Sequence, residues 1–148
     1  MKNNYTVNTA KSMAELYTLL QNHTDITPLA GTTGLLKDCH TDRFILPESI
    51  LLLKNIPELE TIAKRERFID FGAAATLNTI LELGEKNVPA ILYQAISLAA
   101  NPGIRSLATI GGNIAQASMQ NSCLIPLLAL DSKIEIRTQK ELFWMPLI

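Results

Sequence analysis

Two stretches of this chain carry residue types and spacings suited to holding an anionic group, and at neither centre is there a charged side chain. The longer runs from Arg105 to Asp131 and is organised around Thr109-Ile110-Gly111-Gly112-Asn113. Its glycines allow the backbone to approach a ligand closely, because no Cβ intervenes and φ can be positive. Thr109, Asn113, Gln116 and Ser118 add hydroxyl and amide groups that hydrogen-bond without charge. After the Asn101-Pro102-Gly103 stop, the pattern predicts a short β-type piece, a Gly-Gly-Asn turn and then an apolar helix over Leu124 to Leu130. The entry to that helix leaves backbone N–H groups unpaired, which favours an anion. The second stretch begins with a short buried strand, Ile26 to Ala30, that runs straight into Gly31-Thr32-Thr33-Gly34-Leu35-Leu36. Strand, glycine-bearing loop and helical turn again present N–H groups to a phosphate. The loop has neither the Gly-Lys-Ser/Thr ending of a P-loop nor a G-x-G-x-x-G fingerprint.

The elements that must position these loops are readable on both sides. A first strand is expected at Tyr5 to Val7. Ser12 and Glu15 form a capping box that opens an amphipathic helix burying Leu16, Leu19 and Leu20. Arg43 to Leu46 and Ile50 to Leu53 read as β-like runs split by Pro47. Asn55-Ile56-Pro57-Glu58 marks the expected boundary between a small subdomain, 1–55, and a larger one, 56–148. Beyond it, Glu60 to Lys64 and Arg67 to Phe71 read as a hairpin with a charged turn. Thr76 is expected to cap a helix reaching Gly84, and a second helix spans Val88 to Ala100 with Pro89 in its first turn. Lys133 to Thr138 alternates like a strand. Lys140 to Ile148 stays apolar, and that end reads as interrupted, awaiting a cover or a second copy of the chain.

Composition narrows the possible partners. The chain has 148 residues, 47% hydrophobic, and its net charge is −1; its mean hydropathy is +0.16. There is no basic field for nucleic acid or an anionic membrane surface. No run approaches the ~20 apolar residues of a membrane span, and no secretion signal is expected, so the reading is cytoplasmic. Cys39 and Cys123 stand far apart, as do His23 and His40, and no metal-type spacing arises. Cys123 is expected to pack at a helix start, where its pKa would tend to fall. Ser118 and Ser122, before an apolar run, also read as N-caps. Arg105 reads as a structural hydrogen-bonding residue.

Taken together the motifs resemble a known family, the flavin-binding subunit or domain of molybdenum hydroxylases of the xanthine dehydrogenase and carbon monoxide dehydrogenase group. Its pattern Ala-Gly-Gly-Thr-x-Leu is matched by Ala30-Gly31-Thr32-Thr33-Gly34-Leu35. Gly-Ala-x-x-Thr is matched by Gly72-Ala73-Ala74-Ala75-Thr76. Arg-Asn-x-Ala-Thr-Ile-Gly-Gly-Asn-Ile is matched from Arg105 to Ile114 with one change, Ser106. Ala117-Ser118-Met119 and the leucine-rich run from Pro126 to Asp131 echo the remainder.

The resemblance implies an α+β, two-subdomain FAD-binding fold of the type shared with vanillyl-alcohol oxidase-like flavoproteins, with FAD between the parts. It places the FAD diphosphate on Leu29, Ala30, Gly31, Thr32, Thr33, Gly34 and Leu35. Thr109, Gly112, Asn113, Gln116, Ser118 and Ser122 would bind from the other side. It implies no catalytic side chain and no metal on this chain. Molybdopterin and a 2Fe–2S centre would sit in partner subunits, a molybdopterin-binding large subunit and an iron–sulfur subunit. Electrons would pass from iron–sulfur centres through FAD to NAD or another acceptor, so that the chain is not expected to be active alone. The sequence departs from the pattern at Thr32, Met119 and Ser122, where the family has glycine, proline and aspartate, and against that pattern the family's C-terminal domain is expected to be absent. The alternative is a truncated or degenerate relative acting as a flavin-free interaction module. A weaker one is the flavoprotein class that reduces enolpyruvyl sugar nucleotides.

Overall fold

The computed structural model describes residues 5–37, 46–118, 121–138 and 141–147. The expected strand over Arg43 to Leu46 falls largely outside them, as do Cys39, His40 and Met119.

The first part is a three-stranded parallel sheet, order β1-β3-β2, from Thr6–Thr9 (β1), Thr27–Leu29 (β2) and Ser49–Leu52 (β3). Val7 and Thr27 both lie opposite Ile50 on the central strand. Parallel strands need crossover connections, and Met13–Asn22 (α1) supplies the one that carries the chain from β1 to β2, on opposite sides of the central β3. The expected cap is formed with its return bond shifted by one residue: Ser12 Oγ accepts from Glu15 N at 3.2 Å, and the Glu15 carboxylate reaches back past Ser12 to accept from Lys11 N at 2.8 Å. Leu16 of α1 is buried against Ala10, Ile26, Leu51 and Ile56, with Leu19 and Leu20 packed around them. Thr33–Lys37 (α2) follows β2 directly.

The second part is built on a separate cluster: Ala75, Leu77, Ile80, Val88, Leu92, Ile96, Ala108, Ile110, Cys123 and Leu127. It opens with Pro57–Glu60 (α3), a helical turn where the sequence indicated only a break. Ile62–Lys64 (β4) and Ile69–Phe71 (β5) form the expected antiparallel hairpin. Arg65 N donates to Phe68 O at 2.8 Å to close its turn. Leu77–Glu82 (α4) starts at Thr76, whose hydroxyl accepts from Thr79 N at 3.1 Å. Ala90–Leu98 (α5) is two residues shorter at each end than expected, with Pro89 at the cap rather than in the first turn.

The central stretch differs most from its sequence reading. Pro102–Arg105 (α6) and Ile110–Ala115 (α7) are helical, so the β-type piece and the Gly-Gly-Asn turn are corrected to two short helices. Only one β-type contact survives, an isolated antiparallel bridge between Thr109 and Thr76. Leu124–Ala129 (α8) matches the apolar run, but its cap is Cys123 and not Ser122, and no side chain closes it. Lys133–Arg137 (β6) pairs antiparallel with Leu142–Pro146 (β7). Leu147 packs on the second cluster, whereas Leu142, Phe143, Trp144 and Met145 are exposed. Arg137, paired with Glu135, donates to Tyr17 Oη at 3.3 Å and so ties β6 to α1. No helix among the described residues is long and apolar enough to cross a membrane.

Candidate functional site

The site is positioned by a strap of small residues, Gly72 to Ala75, threaded between two backbones. On one side Gly72 N and Ala74 N donate to Thr61 O and Leu59 O, both at 2.8 Å. On the other, Ile110 N donates to Ala75 O at 3.0 Å and Gly111 N to Ala73 O at 2.9 Å, while Leu77 N reaches Ala108 O at 2.9 Å. A Cβ on Gly111 would lie 2.5 Å from Ala73 O, so only glycine permits this approach. The hydrogen-bonded strap holds the start of α7 to the hairpin β4–β5 and to α4.

The start of α7 is closed locally as well. Thr109 is buried, and its hydroxyl accepts from Gly112 N at 3.2 Å. Two consecutive glycines are poor helix formers, so this cap and the strap together make the segment helical. Beyond α7 the chain is held by amides. Cys123 N donates to Asn113 Oδ1 at 3.0 Å, and Asn121 Nδ2 donates to Asn113 O at 2.8 Å and Gln116 Oε1 at 3.4 Å.

The opposing wall is the loop between β2 and α2. Thr32 has φ of 57°, a left-handed conformation that a β-branched residue adopts rarely. Gly31 lies so close to the backbone of Leu107 and Ala108 that a Cβ would overlap the Leu107 carbonyl. A Cβ on Gly34 would overlap the side-chain amide of Gln116. Gly31 is therefore required for the two walls to meet, whereas a side chain at Gly34 would have to displace Gln116.

Between the walls lies a cavity of about 240 Å³, lined by Pro28, every residue from Leu29 to Leu35, and, across from them, Ala108, Thr109, Gly112, Asn113, Ala115 and Gln116. The structure thus brings together all the sequence-indicated site residues except Ser118 and Ser122, which do not line it. Sequence reasoning missed Asn121, a buried amide whose only local signal is a polar residue just ahead of an apolar run. The lining offers backbone N–H, hydroxyl and amide groups and no charged side chain. Such a donor set suits a phosphate or diphosphate, held without the cost of burying a fixed countercharge. The volume falls just below the ~300–1,000 Å³ usual for ligand pockets, so it suits part of a dinucleotide rather than the whole. A shallower depression of about 410 Å³ over Thr9, Ala14, Glu15, Thr18 and Leu19 lacks any such convergence of loops.

Nearby groups serve structure. Arg105 Nη1 donates to Ala100 O at 2.8 Å, Ala99 O at 2.9 Å and Ser97 O at 3.3 Å, satisfying the carbonyls at the end of α5. This is the structural role expected of it. Cys123 is fully buried, and burial pushes its thiol up to about 12. The lowering expected of a helix start is thus corrected: desolvation of the thiolate outweighs the helix end. Among the described residues no group of His, Cys, Asp and Glu has the arrangement of a metal site.

Comparison with known proteins follows the same lines. A family model described as the FAD binding domain in molybdopterin dehydrogenase matches residues 3–148. The chain is 32% identical over 136 residues to the nicotinate dehydrogenase FAD-subunit of Eubacterium barkeri, covering 86% of this chain and 44% of that one. It is 30% identical over 143 residues to the xanthine dehydrogenase FAD-binding subunit of Escherichia coli O157:H7, covering 93% and 48%. Among solved structures, carbon monoxide dehydrogenase from Hydrogenophaga pseudoflava superposes with a TM-score of 0.86 at 26% identity, covering 97% of this chain and 50% of its counterpart. The chain spans about half the length of the relatives it matches.

Proposed function

The chain belongs to the family of FAD-binding domains of molybdopterin dehydrogenases, and from that premise we propose that it holds the flavin of a molybdenum hydroxylase and serves as its electron-transfer component. The single observation that supports this is the convergence of Leu29 to Leu35 with Thr109, Gly112, Asn113 and Gln116 on one uncharged cavity. In this reading the FAD diphosphate lies against the backbone N–H groups of the first loop. Thr109 contributes from the opposite wall, since a hydroxyl that accepts one bond from Gly112 N still carries a proton to donate. Gln116 and Asn113 supply uncharged amides, and the apolar residues Leu29, Ala108 and Ala115 complete the lining. FAD, when bound, supplies the redox chemistry. The residues of this chain orient it and are not required as acid or base.

The partners in this proposal are a molybdopterin-binding large subunit and a 2Fe–2S subunit, with NAD or another acceptor downstream, in the cytoplasm. The relatives' names support a multi-subunit setting: one is the carbon monoxide dehydrogenase medium chain of Hydrogenophaga pseudoflava, 33% identical over 114 residues. Self-association through the exposed residues of β7 is a separate proposal, which a single monomeric species across concentrations in sedimentation would remove.

The test is the visible absorption spectrum of the purified chain after FAD is added and free flavin is removed. Flavin retained near equimolar amounts is the expected result. A colourless chain would instead favour the flavin-free interaction module, for which the strained Thr32 would then be the first suspect.

A further inference from the structure

Two polar side chains are buried among the described residues, Thr109 and Asn121. Burying a polar group is unfavourable unless it is hydrogen-bonded, so each must be held by something specific. Thr109 closes the start of α7. Asn121 has no such local duty: it precedes α8 without capping it, and its side-chain amide nitrogen donates backwards, to Asn113 O at 2.8 Å and to Gln116 Oε1 at 3.4 Å. With its oxygen turned to Asn121, the Gln116 amide directs its nitrogen toward the other wall, where it lies against Gly34. Gln116 is otherwise an exposed side chain at the end of a six-residue helix. Left alone it would sample many rotamers, at a cost in entropy whenever it is ordered.

We propose that Asn121 is a positioning residue, which fixes Gln116 across the mouth of the pocket against Gly34 and thereby sets the separation of the two walls. The first half concerns the ligand-free chain and stands on its own; the second, that this separation tunes phosphate-bearing ligands, rests on the flavin reading above. Asn121 acts through Gln116 and touches no ligand itself. Its amide nitrogen is the working atom, because both of its bonds are made as donor to oxygen acceptors. Removing that nitrogen frees Gln116 to swing out of the gap. The wall separation is then no longer preorganised, and binding must restore the order at its own expense.

The experiment has two readouts on the 148-residue chain and its variants Asn121→Ala, Gln116→Ala and the double variant. The first is side-chain ¹⁵N relaxation of the Gln116 amide without ligand. The second is FAD affinity from flavin fluorescence. The expected result is that Asn121→Ala gives Gln116 the relaxation of a mobile side chain and weakens FAD about tenfold, near 1.4 kcal/mol. Gln116→Ala should weaken FAD by a similar factor, and the double variant by clearly less than the two losses combined, because the variants share the Asn121–Gln116 contact while the Asn121 bond to Asn113 O is lost only with Asn121. Gln116 remaining ordered in Asn121→Ala overturns the proposal, and so do losses that add fully in the double variant. If the unaltered chain binds no FAD, the flavin reading falls, while the relaxation data still decide the positioning claim. Should Asn121→Ala not fold, Asn121→Ser, too short to reach Gln116, carries the same comparison.

Discussion

The loop from Leu29 to Leu35 and the helix from Ile110 to Ala115 face each other across one cavity, yet they are held in place by different means. The helix is fastened on every side: Thr109 closes its start, the Gly72 to Ala75 strap bonds its backbone, and Asn121 and Cys123 N bond Asn113 at its far side. The loop has fewer ties, Leu53 N donating to Leu29 O at 2.9 Å and Leu35 N to Thr32 O at 3.1 Å, and its middle is set mainly by close fit. Its glycines fit against the Leu107 carbonyl and the Gln116 amide, and Thr32 takes a left-handed turn without a glycine's freedom. One wall is therefore a template fastened by many hydrogen bonds, and the other is a more sparsely bonded, fitted surface that admits no side chain at Gly31 and carries avoidable strain at Thr32.

That contrast can be broken most forcefully at Gly31. Gly31→Val places side-chain atoms into a backbone carbonyl that cannot move aside, and it should cost about 2–3 kcal/mol, the upper part of the range for overpacking, read from the midpoint of urea unfolding. The same substitution at Gly34 should be milder, because its obstacle is a flexible side chain, and it should displace Gln116 instead. On the fastened wall, Thr109→Val removes the cap while filling the same space. A loss of about 1 kcal/mol is expected, with Thr109→Ser recovering most of it; equal stability of the two variants would deny the cap its role.

The fastened wall also rests on Cys123, and this gives it a dependence on pH. The thiol is raised in the folded chain from 9.0 to about 12. Below the unfolded value both states keep the proton, and stability is unaffected. As pH rises through the window between the two values, the unfolded chain ionises first, so stability falls. Urea midpoints taken at about pH 8 and about pH 11 should show a fall that is smaller in Cys123→Ala, which lacks this group. An identical fall in both would show that the thiol is not involved. The smallest effect is expected at the fitted wall: Thr32→Gly relieves the left-handed strain but loosens the unfolded chain, for a net gain of about 0.5–1 kcal/mol. A loss of stability there would mean that the Thr32 side chain contributes more than its strain costs.

Much of this architecture was legible from residues acting within a few positions of themselves. Ser12 with Glu15, and Thr76 with Thr79, formed the caps their spacing indicated. The hairpin around Arg65 closed where a charged turn separated two apolar runs. Arg105 was recognised as structural, although the carbonyls it satisfies belong to α5, earlier in the chain. The pocket's residue types were likewise legible, because glycine, hydroxyl and amide groups announce the same chemistry whatever surrounds them.

What failed to show was anything decided by a distant neighbour. Gly111-Gly112-Asn113 reads as a turn because two glycines disfavour a helix, and it is a helix because the Gly72 to Ala75 strap and Thr109 hold it so. Cys123 packs at a helix start as its position suggests, but the lowering of its pKa that a helix start favours is reversed by burial among Leu92, Ile96 and their neighbours. Asn121 carries no distinctive local signal, and it is one of two buried polar side chains among the described residues. By itself the sequence determined which groups were available and where caps and strands begin, since those rest on contacts between near neighbours along the chain. Only the tertiary structure decided that two separate stretches share one cavity and that Gln116 meets Gly34 across it. Those contacts depend on the packing of both hydrophobic clusters, and no local pattern encodes the distance between them.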